Sequence, residues 1–123
     1  MKYLCLVYVD LALFGALSED ARAVLAAESM VYDEELASRG QLVVADVLQH
    51  AKHAKVVQVR QGTMSRREGP FVEAREPLAG FLLIDADDLN AAIQIASKVP
   101  MARLGSIEVR PVAKVDRMEG SAA

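Results

Sequence analysis

An α+β fold is predicted by three features of this 123-residue sequence: apolar runs of strand length, two amphipathic stretches of helix length between them, and a turn signal near the middle. The length is that of a single domain, expected over residues 1–115. A chain of this size buries about two-thirds of the surface that its unfolded form exposes, so a core can form without staples.

Lys2 to Val9 reads as the first strand, rich in β-formers and apolar on both faces. Met1-Lys2 and the apolar run to Leu17 look superficially like a targeting segment, but Asp10 interrupts the run. The run is also shorter than the roughly 20 apolar residues that span a bilayer, so a strand and a loop are expected. Ser18 then offers an N-cap, and Glu19 and Asp20 place negative charge in the first turn of a helix running to about Arg39. Gly40 ends it. The expected buried stripe is Ala21, Val24, Leu25, Val31, Tyr32 and Leu36, with Glu28 on or beside it.

Gln41 to Leu48 is a second apolar strand, broken by Asp46. Lys55 to Arg60 and the segment from Thr63 flank Gln61-Gly62, which predicts a β-hairpin. Gly69-Pro70 interrupts the second arm, and proline excludes a central ladder position. Leu78 to Ile84 is a further strand; Asp87 is the expected cap of a second helix with Leu89, Ala92, Ile93 and Ala96 inward, stopped by Pro100. Ser106 to Val112 closes the domain, with Ile107 and Val109 inward, and residues 116–123 are expected to fray.

The order is therefore a ferredoxin-like βαββαβ plan with an elaborated middle hairpin. Two helices cover one face of such a sheet, yet its strands are apolar on both. A second copy of the same sheet is the commonest cover, so a homodimer closing face to face into a dimeric α/β barrel is expected.

Composition narrows the function classes. Fourteen Lys and Arg against seventeen Asp and Glu give a net charge of −3, which is no nucleic-acid footprint, and no phosphate-cradling glycine loop is present. A membrane role is not expected. One cysteine, Cys5, excludes an internal disulfide and multi-cysteine metal centres, and an unpaired thiol fits the cytoplasm. Cys5 lies in a doubly apolar strand and reads as inert core. Charge is uneven: residues 1–50 carry −5, and residues 51–80 carry +3.

The run Arg67-Glu68-Gly69-Pro70-Phe71-Val72-Glu73-Ala74-Arg75-Glu76, with Leu78-Ala79-Gly80-Phe81 and Ser106-Ile107-Glu108-Val109-Arg110-Pro111-Val112, resembles the YCII-related family in its DGPF-motif branch. The resemblance covers nearly the whole chain, with Glu68 at the motif's aspartate and Arg75 at its usual lysine. It implies a dimeric barrel of ferredoxin-like subunits, and for some members an association with extracytoplasmic-function sigma factors. A distant branch resembles muconolactone isomerase in fold, with a proposed His–Asp pair. That histidine would register near Ser29, so the mechanism is not carried over.

The candidate catalytic residues are Asp46 and Glu28, carboxylates in apolar runs whose burial would raise their pKa into acid–base range, and His50, a pocket base near the end of the second strand. His50 and His53 alone are too few to hold a metal, and neither metal nor cofactor is expected. Arg60, Glu68, Phe71, Glu73, Arg75 and Glu76 are candidates for ligand binding or for clamping an interface around the Gly-Pro-Phe turn. Three readings follow. In the first, a cytoplasmic dimer binds a small anionic molecule between sheet and helices, with Asp46 or Glu28 as base in lyase or isomerase chemistry and Arg60 or Arg75 orienting the ligand. The second is a non-enzymatic regulatory module contacting a sigma factor. The third is a barrel without chemistry.

Overall fold

The first strand, β1 (Lys2–Val9), runs through the middle of the sheet, and alternate side chains Tyr3, Cys5, Val7 and Val9 are buried on one face. The structure is a computed structural model describing residues 1–114; the end of the expected domain at residue 115 and the expected frayed tail at 116–123 lie outside the described residues. Asp10 ends β1 and caps a one-turn helix, α1 (Leu11–Gly15), in the stretch expected to be a loop. The longer helix, α2 (Glu19–Ser38), begins where the capping signal places it: the Ser18 hydroxyl accepts from the Ala21 N–H at 3.1 Å. It stops at Gly40, whose φ of +71° is left-handed. There the Gly40 N–H donates to the Ala37 carbonyl and the Gln41 N–H to the Leu36 carbonyl, a Schellman ending.

Strand β2 (Leu42–Val47) forms one edge. A 3₁₀ turn at Ala51–His53 leads into β3 (Lys55–Arg60) and β4 (Thr63–Glu68). Gln61 and Gly62 both take positive φ (51° and 77°), the requirement of a two-residue hairpin turn whose twist matches its strands. This hairpin is a separate two-stranded sheet. Strand β5 (Leu78–Asp85), helix α3 (Leu89–Ser97), a 3₁₀ turn at Pro100–Leu104 and β6 (Gly105–Pro111) complete the chain. The main sheet has the order β2-β5-β1-β6, with every pairing antiparallel. The architecture is mixed α+β and compatible with the ferredoxin-like plan; the four strands form an open sheet, not a closed barrel.

The core lies between this sheet and the two long helices, where Tyr3, Cys5, Leu82 and Ile84 meet Leu36, Ala92 and Ile95. The Tyr32 hydroxyl donates to the Ile95 carbonyl at 2.6 Å and ties α2 to α3.

Four further expectations need correction. The inward face of α2 is rotated from the expected stripe: Leu25 and Leu36 are buried, but Val24 and Val31 are more than half exposed. Asp88, not Asp87, caps α3 by accepting from the Ala91 N–H at 2.8 Å. Ile95 takes the buried place expected of Leu89 and Ile93, both of which are exposed. Strand β2 is not a buried strand: as an edge it leaves Val43, Val44, Asp46 and Val47 exposed.

The face of the sheet away from the helices carries Leu4, Leu6, Tyr8, Phe81 and Leu83, all half-buried by their in-sheet neighbours, with Val44 exposed at its edge. Cross-strand register pairs Leu4 with Leu83 and Leu6 with Phe81, so the apolar residues form one continuous patch. Glu108 and Arg110 border it on β6.

Candidate functional site

Two clefts lie on opposite sides of the sheet. The helix-side cleft, about 430 Å³, is walled by the inner sheet residues Val7, Ala45 and Leu82 and by one face of α2. The α2 residues Arg22, Leu25, Ser29 and Asp33 face it, spaced at threes and fours as one side of a helix requires. Gly80 lies at its floor and contributes no side chain there; an added Cβ would come within 2.8 Å of the Asp46 carbonyl oxygen.

Arg22 is the polar feature of this cleft. Its guanidinium stacks over the Phe14 ring, 5.0 Å from the centroid, and one terminal nitrogen donates to the Gly15 carbonyl at 3.2 Å. Its Nε is shielded from water and has no hydrogen-bond partner among the described residues. A buried donor left unpaired costs free energy. The Ser29 hydroxyl donates to the Leu25 carbonyl at 2.9 Å, leaving only its oxygen lone pairs available. Asp33 lies at the other end, and its burial pushes the carboxyl above the ordinary carboxylate value.

Asp46 borders this cleft from β2, but its register partner is Phe81 on the far face, and its Oδ1 accepts from the Val47 N–H at 3.0 Å. Glu28 lies outside it. That carboxylate accepts from Arg103 at 2.9 Å, beside a shallow groove formed with Val24, Val31 and Lys98. Asp46 and Glu28 therefore do not open into one pocket, and both are exposed rather than buried.

His50 belongs to the second cleft, about 720 Å³, at the root of the hairpin, where it meets Tyr8, His53, Phe71, Glu76 and Leu78. The His50 Nδ1 accepts from the Lys52 N–H at 3.0 Å, capping the 3₁₀ turn and leaving Nε2 as the free ring nitrogen. Glu76 accepts from the Ser106 hydroxyl at 2.9 Å. The segment that carries Phe71 is pinned by Arg67, which donates to the Pro70 and Phe71 carbonyls, each at 3.2 Å. Gly69 makes the bend with φ +90°.

The remaining candidates are dispersed. Glu68 pairs with Lys55 across the hairpin and with Arg66 beside it, and these neighbours hold its carboxyl below the usual carboxylate range. Arg60, near the hairpin tip, donates to the Val59 carbonyl. Glu73 is exposed. Arg75 pairs with Asp10 at 3.3 Å. Neither Arg60 nor Arg75, the arginines expected to orient a ligand, lines the helix-side cleft. Arg22 is the arginine that lines it. Its signal in the sequence was a charged residue three positions before Leu25, obscured because the expected stripe was turned by one residue.

Among the described residues no group of three or more His, Cys, Asp and Glu side chains is arranged to hold a metal ion. No helix there is long and apolar enough to cross a membrane.

An open antiparallel sheet backed by two long helices, with a cleft between the layers, defines a small α+β domain of the two-layer kind. The model of the YCII-related domain matches residues 1–116, and the chain belongs to that family. It is also similar to a protein of Rhizobium meliloti (strain 1021) with the name Uncharacterized protein R00369, 30% identical over 115 residues that span 92% of this chain and 93% of that one.

Proposed function

We propose that this chain, a DGPF-branch member of the YCII-related family, is a dimeric small-molecule-binding protein whose helix-side cleft takes an organic anion. The observation that carries the reading is Arg22: a half-buried guanidinium on the wall of a mostly apolar cleft, with no carboxylate paired to it among the described residues. Such a group holds a carboxylate or similar oxyanion through charge-assisted hydrogen bonds. The apolar walls supply the rest of the affinity through burial.

Lyase or isomerase chemistry would require the Asp46 carboxylate to turn from the far face, where Phe81 is its register partner, into the cleft that it borders. Glu28 is held by Arg103 outside it, and His50 belongs to the other cleft. The dimer reading rests on the continuous Leu4, Leu6, Phe81 and Leu83 patch, which one subunit leaves without a covering layer. In that dimer the two sheets would face each other and the helix-side clefts would remain open on the outside. A cytoplasmic location fits the single unpaired cysteine.

A thermal-shift panel of small carboxylates and phosphates, followed by calorimetric titration of the best acid, tests the binding reading. Ligand that binds only the folded chain raises the melting temperature by mass action. Arg22→Gln should then weaken binding by about tenfold or more. No shift with any acid, or equal affinity in the variant, would overturn it. Capture of a sigma factor without any small-acid response would favour the regulatory alternative.

A further inference from the structure

The two ionisable side chains that α2 presents to the helix-side cleft lie at its two ends. Arg22 and Asp33 share one face of α2 with three helical turns between them, on the order of 16 Å along the axis. Side chains on a helix lean toward its N-terminus, and Arg22 reaches as far as the Gly15 carbonyl. The wall between the ends is made by Leu25, Ala26 and Met30 on the helix and Val7, Ala45 and Leu82 on the sheet. Ser29 lies midway, but its proton is committed to the Leu25 carbonyl. At the far end Asp33 is half-buried and has neither hydrogen bond nor ion pair from its side chain among the described residues.

We infer that the cleft selects an elongated apolar molecule with an anionic group at one end and a hydrogen-bond donor at the other: an ω-amino or ω-hydroxy carboxylate whose apolar middle matches the distance from Arg22 to Asp33. This rests on the anion-binding reading above and adds the far end. A short acid reaches Arg22 and leaves Asp33 unanswered. A simple fatty acid spans the cleft but lays its methyl end against a carboxylate, removing water without replacing its hydrogen bonds, which is unfavourable. A donor at that end satisfies the carboxylate, as Arg22 is satisfied by the acid.

The test is calorimetric titration of the full-length protein with dodecanoate, 12-aminododecanoate and 6-aminohexanoate. The wild type should bind 12-aminododecanoate about tenfold more tightly than dodecanoate, and 6-aminohexanoate should lose that advantage. Asp33→Asn should abolish the preference while tightening dodecanoate. Arg22→Gln should weaken both long acids. Equal binding of the two long acids by the wild type, or a preference that survives Asp33→Asn, overturns the two-ended reading and leaves the Arg22 anchor standing. Long-acid binding indifferent to Arg22→Gln in a variant that melts cooperatively removes the anchor itself. The wild-type length series decides the matter even if a variant fails to fold.

Discussion

The Asp10 carboxylate divides its oxygens between two distant parts of the chain. Oδ1 accepts from the Ala12 and Leu13 N–H groups at 2.9 and 3.2 Å, capping α1, while Oδ2 meets Arg75 Nε at 3.3 Å. The partners differ in surroundings: the Asp10 side chain is 8% exposed and that of Arg75 81%. The two substitutions should therefore be unequal. Asp10→Ala removes a cap and leaves two part-buried N–H groups unanswered, at a cost of about 0.5–2 kcal/mol. Arg75→Ala should cost roughly 0–1 kcal/mol, because an exposed guanidinium remains largely solvated. Urea denaturation of both variants reads the difference, and equal losses would place the weight on the ion pair instead of the cap.

Leu83→Arg tests the outward face. Leu83 is half-buried within one chain, so the subunit should still fold, but a charge in the middle of the patch would be desolvated in a face-to-face dimer. Size-exclusion chromatography with light scattering should give a dimer for the wild type and a monomer for the variant. A wild-type monomer at micromolar concentration would end the barrel proposal.

Gly105 sits opposite Val9 in the β1–β6 ladder with extended backbone, so its requirement is steric. A Cβ there would run into the Tyr8 carbonyl oxygen and lie 2.8 Å from Val9 Cα. Gly105→Ala should destabilise by about 1–3 kcal/mol through forced strand separation. A loss below about 0.5 kcal/mol in chemical denaturation would show that β6 moves freely.

Burial pushes the Cys5 thiol up to about 11. At pH 8 the folded chain therefore presents almost no thiolate and little access to it. A chromogenic disulfide reagent should react with Cys5 only after denaturant is added. Rapid reaction in native buffer would contradict the core assignment.

Asp33 gives a pH dependence of definite sign. Its desolvated carboxyl binds a proton more tightly in the folded chain than in the unfolded one. Its contribution to stability is thus most favourable below the ordinary carboxylate value, declines as pH rises from that value through the folded one, and stays unfavourable above both. Asp33→Asn should melt higher than wild type at pH 7 and converge with it near about pH 3, where the wild-type side chain is protonated. A gap unchanged across that range would place the effect in packing rather than ionisation.

Much of the fold was legible because its signals are local. Ser18 with Glu19 and Asp20 marks where α2 starts, Gly40 marks where it stops, and Gln61-Gly62 supplies the two left-handed residues of the hairpin turn. The strand runs were equally clear. What could not be read was rotation and edge position. Val24 and Arg22 are two residues apart and either could face inward until the sheet beneath is placed. An apolar run such as Leu42 to Val47 looks the same in the centre of a sheet as at its rim, where β2 lies and where Asp46 is exposed.

The candidate site divides along the same line. Sequence alone determined the order of the strands and the two long helices, the surplus of apolar strand surface and the rigid Gly-Pro-Phe turn, because each is written in neighbouring residues. Tertiary structure decided that Arg22 and Asp33 bracket one cleft, that Glu28 is taken by Arg103 and that Asp10 answers Arg75. Those relationships join residues brought together only when the helices settle on the sheet, and local propensity carries no information about which donor that packing leaves without a partner.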